Sequence, residues 1–334
     1  MLKRFLVLFM LISNFSNIPH ALALGTQPFF KDSFLNLKDD LAEANRAGRI
    51  LMLVYEQEGC PYCAETHKVN FADKEIVDTI AKHFDVVQLD IWGGRELTDF
   101  SGKVISEKQF ARDLKIHFSP MITFYSPAGK EIFRMAGYYP PPQFKAAMNF
   151  MAGRHYKDTS FREYSLKHTV EPARKGLIDE PFFVKTQNLK SVADTAGKNN
   201  KGFALVFEQE QCAGCVEIHE TSFIDSEVVA KLTRNFDTVQ INLWGKKGWV
   251  NMAGNKISEA DLGKSLQVRY TPTIIFFDNK GKEILRHESY LKPEHFATLL
   301  TYLTTDARTA YSSFQDWLRA KNSMQAETKQ TPNL

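Results

Sequence analysis

Residues 56–67 read EQEGCPYCAETH, and residues 208–219 read EQEQCAGCVEIH. Each stretch carries two cysteines separated by two residues, and the corresponding cysteines are 152 positions apart (212 − 60). The same offset continues downstream, where it joins Pro120 to Pro272. The two pairs contain all the cysteines of the 334-residue chain: Cys60, Cys63, Cys212 and Cys215. The chain is therefore one unit duplicated, with its cysteine pair kept in both copies.

The repeat divides the chain into two domains joined by a short connector. We predict a first domain over 24–169, a linker over 170–181, a second domain over 182–321 and a polar C-terminal tail over 322–334. Copies of about 140 residues have the size of complete domains, so each should build its own hydrophobic core. The linker is assigned because 171–176 reads EPARKG, which has no apolar periodicity.

The N-terminal segment has the features of a secretory signal peptide. Lys3 and Arg4 precede an apolar run over 5–12, and the small residues Ala21 and Ala23 form a cleavage pattern. The apolar run is shorter than the roughly 20 residues that a membrane-spanning helix needs. We expect a signal peptide over 1–23 that is cleaved and a periplasmic protein, with an uncleaved membrane anchor as the alternative.

The charge balance argues against one class of partner. The formal net charge is +3 at pH 7, from 42 Lys and Arg against 39 Asp and Glu. A nearly neutral chain has no electrostatic basis for nucleic-acid binding. We expect no nucleic-acid partner, and we expect a monomer.

Apolar periodicity predicts the same secondary structure in both copies. In the first copy, 50–55 is a continuous apolar run typical of a buried strand, and 60–69 contains helix formers with Pro61 in the first turn. A helix should run from Ser106 to about residue 116, and a hairpin and a last helix should follow Pro120. The resulting order βαβαββα predicts an α/β fold with two tandem three-layer α/β/α domains.

Two cysteines separated by two residues at the start of a helix are typical of a redox couple. Unpaired backbone N–H groups and the helix dipole stabilise a thiolate on the first cysteine, so Cys60 and Cys212 should attack. The second cysteine lies three positions further along the helix, on the same side, so Cys63 and Cys215 should resolve the mixed disulfide. The sequence therefore predicts these four residues as catalytic.

Other uses of the cysteines fit the pattern less well. A structural disulfide framework would cross-link distant positions, whereas both pairs are local. A shared zinc site would need pairs about 15 to 20 residues apart, and haem attachment would need a histidine directly after the second cysteine. His67 and His219 could join a Cys-Cys-His metal face, but such histidines more often pack or face solvent. We expect no metal and no cofactor.

A strand, a CxxC helix and a late proline before a hairpin resemble the thioredoxin superfamily, and the repeated EQE-x-C-x-x-C is similar to exported SoxW-type thioredoxins. The resemblance covers nearly the whole of both copies and implies two thioredoxin-like domains. It also implies cis peptide bonds before Pro120 and Pro272, beside the active sulfurs. The preceding residues, Ser119 and Thr271, are then candidates for contact with the substrate backbone.

The departures from thioredoxin itself define further candidates. The position of its buried acid holds Val54 and Val206, but Glu56 and Glu208 lie on the same face of the strand. Either glutamate could take the proton of the resolving cysteine, and the alternative is a solvated glutamate at a strand end.

The stretch over 93–123 is longer than a minimal thioredoxin needs and suggests an inserted helix that shapes a partner surface. The aromatic residues, including Trp92 and Trp244, are expected in the cores.

These observations predict an exported thiol–disulfide oxidoreductase that reduces disulfides of periplasmic proteins through two CxxC sites, in sulfur oxidation or cytochrome maturation. The resemblance implies a membrane thiol transporter of the CcdA or DsbD kind as electron donor. A disulfide isomerase or oxidase, and a non-enzymatic binding or chaperone module, remain the alternatives. The reducing direction rests on the resemblance, because the sequence alone does not determine the stability of the thiolate.

Overall fold

Each copy of the repeat folds around its own four-stranded mixed β-sheet. The computed structural model describes residues 24–116, 118–168, 176–210, 212–268 and 271–330. The signal peptide predicted over 1–23 lies outside the described residues, and so does the first half of the predicted linker, 170–175.

The first domain contains six helices and six strands within its described residues. In chain order they are α1 (Leu37–Arg46), β1 (Ile50–Glu56), α2 (Pro61–Lys68), α3 (Lys74–His83), β2 (Phe84–Asp90), β3 (Glu96–Thr98), β4 (Val104–Ser106), α4 (Glu107–Asp113), β5 (Met121–Tyr125), β6 (Glu131–Ala136), α5 (Pro141–Ala152) and α6 (Phe161–His168). Two short 3₁₀ turns, Asn70–Ala72 and His155–Lys157, follow α2 and α5.

The second domain repeats this order and has one additional short helix before its last helix. Its elements are α7 (Leu189–Lys198), β7 (Gly202–Glu208), α8 (Ala213–Glu220), α9 (Ser226–Asn235), β8 (Phe236–Asn242), β9 (Gly248–Val250), β10 (Lys256–Ser258), α10 (Glu259–Ser265), β11 (Thr273–Phe277), β12 (Glu283–His287), α11 (Pro293–Thr304), α12 (Ala307–Ala310) and α13 (Phe314–Gln330).

Both sheets have the same topology. The strand order is β2-β1-β5-β6 in the first domain and β8-β7-β11-β12 in the second. The two central strands β1 and β7 are parallel to β2 and β8, and antiparallel to β5 and β11. The parallel register places Glu56 beside Asp90, and Glu208 beside Asn242. The two glutamates therefore end the central strands at the edge where the CxxC helices begin.

Helices cover both faces of each sheet. Successive side chains of β1 point to opposite faces, so Leu53 and Tyr55 pack with α1 and α4, whereas Met52 and Val54 pack with α3 and α5. All of β1 is buried, because both faces are covered. The structure confirms the prediction of two tandem three-layer α/β/α domains.

The order βαβαββα is incomplete in both domains. A helix, α1 or α7, precedes the first strand, and the inserted stretch contains a hairpin, β3–β4 or β9–β10, in addition to the predicted helix. Strands of three residues are too short for an alternating pattern to be visible in the sequence. The predicted helix from Ser106 is also shorter than expected and ends at Asp113.

The C-terminal region is helical where a polar tail was predicted. Helix α13 continues through 322–330, because this stretch is rich in residues of good helix propensity such as Ala, Gln, Glu and Lys.

The first part of α13 lies against the other domain, where Asp316 pairs with Lys108 and Arg112 of α4 at 3.3 and 3.2 Å. The surface that the inserted helix was expected to shape therefore contacts the second domain.

Asp316 gives this contact a dependence on pH. Partial burial opposes its ionisation, but hydrogen bonds from Ser312, Ser313 and Lys108 lower its pKa from 3.8 to about 2. A lowered pKa in the folded state means that the ionised carboxylate stabilises the fold above pH 3.8. This stabilisation is lost as the pH falls from 3.8 toward 2.

We predict that Asp316→Asn destabilises the protein at neutral pH by about 0.2–1 kcal/mol, the usual value of partly exposed ion pairs. The difference from the unmodified protein should disappear at about pH 2. Urea unfolding at both pH values measures this, and Asp113→Asn is the matched control because, among the described residues, Asp113 accepts a hydrogen bond from Gln109 of its own helix and has no ion pair across the domains. An equal loss in both variants would contradict the assigned contact.

Candidate active site

The cysteine pairs lie at the start of two equivalent helices. Cys60 is the N-cap of α2, where its Sγ accepts a hydrogen bond from the backbone N–H of Cys63 at 3.0 Å. Cys212 is the N-cap of α8 and accepts from Cys215 at 3.1 Å. Both pairs form disulfides, with Cα atoms 5.2 and 5.1 Å apart. The same N–H bond and the helix dipole would stabilise a thiolate on the first cysteine after reduction.

The prolines implied by the thioredoxin resemblance lie beside the cysteines. The Ser119–Pro120 and Thr271–Pro272 peptide bonds are cis. The carbonyl oxygen of Ser119 is 3.5 Å from the Sγ of Cys60. In the second site, Pro272 packs so closely on the CxxC turn that its Cδ would be 3.1 Å from a Cβ added at Gly214.

The two predicted glutamates are buried and are not solvated strand ends. Glu56 is 1% exposed, and its two carboxylate oxygens contact His67 Nε2 at 2.8 Å and Gln88 Nε2 at 2.5 Å. Glu208 is also 1% exposed and has the same two kinds of partner. His219 Nε2 lies 2.9 Å from its Oε1, and Gln240 Nε2 donates to its Oε2 at 2.6 Å. Each redox helix therefore covers a carboxylate whose oxygens are both hydrogen-bonded.

The two sites differ in the outer partner of the histidine. His67 Nδ1 lies 3.1 Å from the side-chain amide of Gln27, whereas His219 Nδ1 lies 2.6 Å from the carboxylate of Glu180. Burial works to lower the pKa of His219, but its contacts with Glu208 and Glu180 outweigh burial and raise it. The second site thus contains a carboxylate that the first site lacks.

Sequence reasoning missed these outer partners and the two glutamines. Gln88 and Gln240 are at the same offset as the cysteines, and Gln27 and Glu180 precede the same Pro-Phe-Phe sequence in each copy. Comparison of the two copies could therefore have identified all four residues as candidates for the active site. Glu180 falls within the predicted linker, yet it contacts the second active site through His219.

A cavity connects the acid to the cysteines in the second site. It has a volume of roughly 270 Å³, and its walls include Cys212, Cys215, Glu208 and His219. Cys215 and His219 are four residues apart on α8 and so share one face of the helix.

A second, larger cleft of roughly 700 Å³ lies between the domains. Its walls carry Cys212 and Pro272 from the second site, and Pro61 and Tyr62 from the CxxC turn of the first. The Tyr62 hydroxyl accepts a hydrogen bond from the backbone N–H of Lys292 at 2.9 Å, and burial raises the pKa of this tyrosine. The CxxC turn of the first domain is therefore part of the contact between the domains.

The two tryptophans expected in the cores lie at the edge of the active sites. Trp244 is 40% exposed and Trp92 is partly buried. Their Nε1–H groups donate to the side chains of Gln209 and Gln57, at 2.6 and 2.8 Å, just before the CxxC turns. They bind the loop that leads to each cysteine pair, which explains why neither is fully buried.

The described parts of the chain contain neither a metal-binding cluster nor a membrane-spanning helix. There, no group of three or more His, Cys, Asp or Glu side chains is arranged to hold a metal ion. In the same residues, no helix has both the length and the apolar character needed to span a membrane.

Comparison with known proteins identifies the family. The model of the thioredoxin-like domain matches 37–152 and again 189–304, which is more than half of the chain. The chain belongs to the thioredoxin-like domain family. With two CxxC pairs placed at helix starts in such domains, this thioredoxin-like protein is a thiol–disulfide oxidoreductase.

Individual relatives match only parts of this thioredoxin-like chain. The thiol:disulfide interchange protein DsbD of Photorhabdus laumondii is 33% identical over 86 residues, which are 26% of this chain and 13% of that protein. A thioredoxin-fold protein from Helicobacter pylori is 27% identical, with a TM-score of 0.32, and covers 40% of this chain and 90% of its own. The reduced C-terminal domain of Neisseria meningitidis DsbD is 20% identical, with a TM-score of 0.27, covering 34% of this chain and 91% of its own.

We predict that the first cysteine of each pair attacks and that the second resolves, because only the first occupies the N-cap. Cys63→Ser and Cys215→Ser should accumulate mixed disulfides with substrate proteins, whereas Cys60→Ser and Cys212→Ser should not. Non-reducing electrophoresis after acid quenching measures the trapped species. Equal trapping by both members of a pair would contradict the assignment.

Proposed function

We propose that this thioredoxin-like protein is exported and reduces disulfides of periplasmic proteins at both CxxC sites. The observation that carries the proposal is the repeated arrangement of an N-cap cysteine, an adjacent cis-proline and a buried carboxylate. The arrangement brings together a stabilised thiolate, a substrate-facing backbone and a proton acceptor. In the proposed reaction the thiolate attacks the client disulfide, the backbone holds the client, and the carboxylate takes the proton of the resolving cysteine.

In the proposed reaction, the Cys60 thiolate attacks one sulfur of a client disulfide, and the other client sulfur leaves as a thiolate. Cys63 then loses its proton to Glu56 and attacks the Sγ of Cys60. The bond between Cys60 and the client breaks, and the client leaves with its second sulfur reduced. Two electrons have passed to the client, and the cysteine pair is left as a disulfide. Cys212, Cys215 and Glu208 act in the same way in the second domain.

The contacts of the client are assigned to the residues beside the cis-prolines. Ser119 and Thr271 precede these prolines, and their backbones can pair with an extended client segment next to the attacking sulfur. At the second site, such a segment enters the cleft between the domains, because Cys212 and Pro272 line it. Pro120 and Pro272 hold the loop against the CxxC turn.

The reducing direction is supported by the resemblance to SoxW-type thioredoxins. A partial match to a thiol:disulfide interchange protein agrees with thiol exchange. Electrons would come from a membrane thiol transporter of the CcdA or DsbD kind, and the clients would be proteins of sulfur oxidation or cytochrome maturation.

We propose that the protein acts as a monomer. The signal peptide predicted from the sequence over 1–23 is the basis for a periplasmic location, and fractionation of the native host would show full-length chain in the cytosol if export is wrong.

Two rival functions remain, and each has its own test. An isomerase or oxidase would be recognised by pairs that a glutathione buffer reduces, because the reduced form of an oxidant is stabilised, whereas the pairs of a reductant would stay oxidised. A binding or chaperone module would keep its binding in a Cys60→Ser and Cys212→Ser double variant, whereas an oxidoreductase would lose all turnover. Insulin reduction coupled to a dithiol donor measures this turnover.

We predict that the two pairs are both redox-active and have different potentials, because Pro61-Tyr62 lies between the first pair and Ala213-Gly214 between the second. These dipeptides form the first helical turn beside the attacking thiolate, where proline also lacks a backbone donor. A difference of about 30 mV corresponds to a tenfold difference in the exchange equilibrium. Equilibration with glutathione, followed by alkylation and mass spectrometry of each pair, measures both potentials in the full chain. Identical potentials would contradict the prediction.

A further inference from the structure

A chain of three side chains leads from the second redox cavity to the protein surface. Glu208 contacts His219 Nε2 at 2.9 Å, and His219 Nδ1 contacts Glu180 at 2.6 Å. The side chains of Glu208 and His219 are both 2% exposed, whereas that of Glu180 is 13% exposed. The chain therefore begins beside the cysteines and ends at a carboxylate in contact with solvent.

The first domain has only part of this chain. Glu56 contacts His67 at 2.8 Å, but the outer position is occupied by Gln27. A glutamine side chain is neutral, so it neither stabilises an imidazolium by charge nor accepts a proton. His67 thus has one carboxylate partner, and His219 has two.

The charges around His219 favour a proton on its ring. The segment before α7 contributes Glu180, which contacts His219. It also contributes the nearby Asp179, which pairs with Lys185. On the side of the sheet it faces Glu208 of β7. The described walls of the adjoining cavity also contain Glu210, Glu217 and Glu220, and His219 is the one basic residue among them. Phe183 and Phe223 close the remaining sides with ring contacts.

The position of His219 on α8 connects this charge to the resolving cysteine. Cys215 is one helical turn before His219 on the same face, and both residues are almost fully buried. Glu208 lies on the wall of the same cavity. A proton that leaves Cys215 therefore has an acceptor in the cavity and a path away from it.

We propose that Glu208, His219 and Glu180 form a proton relay of the second redox site, and that the first site lacks its outer member. The proposal rests on the proposed redox activity of the Cys212–Cys215 pair. In the resolving step, the Cys215 thiol gives its proton to Glu208, and His219 shares it as an imidazolium between two carboxylates. The Cys215 thiolate attacks the Sγ of Cys212, and the client sulfur leaves with the electron pair of the broken bond. Glu180 then passes the proton to solvent.

This relay gives the second site its own pH dependence. The relay accepts the proton of Cys215 only when His219 is neutral, so the resolving step should accelerate as the pH rises through the pKa of His219. Two carboxylate neighbours keep that pKa above 6.5. Glu180 acts as a positioning residue, because it affects the cysteines only through His219.

The test uses Glu180→Gln in the full chain, with Cys60→Ser and Cys63→Ser added so that only the second site reacts. Ellman's reagent is the probe, because attack by Cys212 releases one thionitrobenzoate and resolution by Cys215 releases the second. We expect the pH midpoint of the second release to fall by about one unit, since an opposite charge at this distance shifts a pKa by 1 to 3 units. The natural glutamine in the first domain indicates that the fold tolerates this substitution.

The reciprocal variant and a control complete the test. Gln27→Glu, with Cys212→Ser and Cys215→Ser added, should raise the midpoint of the first site by a similar amount. Glu220→Gln should shift the midpoint of the second site much less than Glu180→Gln, because Glu220 lines the cavity without a hydrogen bond to His219. The ring signals of His219 in NMR spectra should titrate at lower pH in Glu180→Gln.

The possible failures are distinguishable. If the second pair releases no thionitrobenzoate at any pH, the proposed function of this domain is wrong and the relay falls with it. If the pair reacts but Glu180→Gln and Glu220→Gln give the same midpoint, the relay alone is overturned.

Discussion

The burial of a carboxylate beneath each redox helix is the constraint on which both active sites depend. An ionised carboxylate resists burial unless its oxygens are hydrogen-bonded or paired with a charge. Glu56 meets this requirement with a histidine from α2 and a glutamine from β2. The same glutamine, Gln88, also donates to the carbonyl oxygen of Gly25 at 2.7 Å. The hydrogen bonds of one buried carboxylate and its glutamine thus join the central strand, the redox helix, the neighbouring strand and the segment before α1.

This constraint also explains the local sequence around the site. A Cβ at Gly25 would lie 2.7 Å from the ring of His67, so the backbone can approach the histidine only because this residue is glycine. In the second domain Ile178 provides the equivalent carbonyl oxygen to Gln240, at 2.6 Å. The segment before the first helix of each domain, α1 or α7, is therefore part of the active site, although its sequence has the irregular character of a connector.

The sequence predicted the features that depend on repetition and periodicity. The offset between Cys60 and Cys212 identified the duplication, and the apolar strands identified the three layers. It did not predict the hairpin in the insertion, because three-residue strands have no readable period. Nor did it distinguish a buried Glu56 from a solvated one, since burial depends on partners that are distant in sequence, such as Gln88. Charge balance likewise gave no indication that Asp316 would pair across the domains.

The duplication has kept the reacting atoms and changed their surroundings. Between the cysteines, Tyr62 contacts the second domain, whereas Gly214 leaves space for Pro272. Beneath the cysteines, one site has Gln27 and the other Glu180. Because the attacking cysteine, the cis-proline and the inner glutamate are the same in both domains, these changes leave the reaction intact. In the mechanism that we propose, they alter the access of clients and the destination of the proton, so the two domains would perform one chemistry under different conditions.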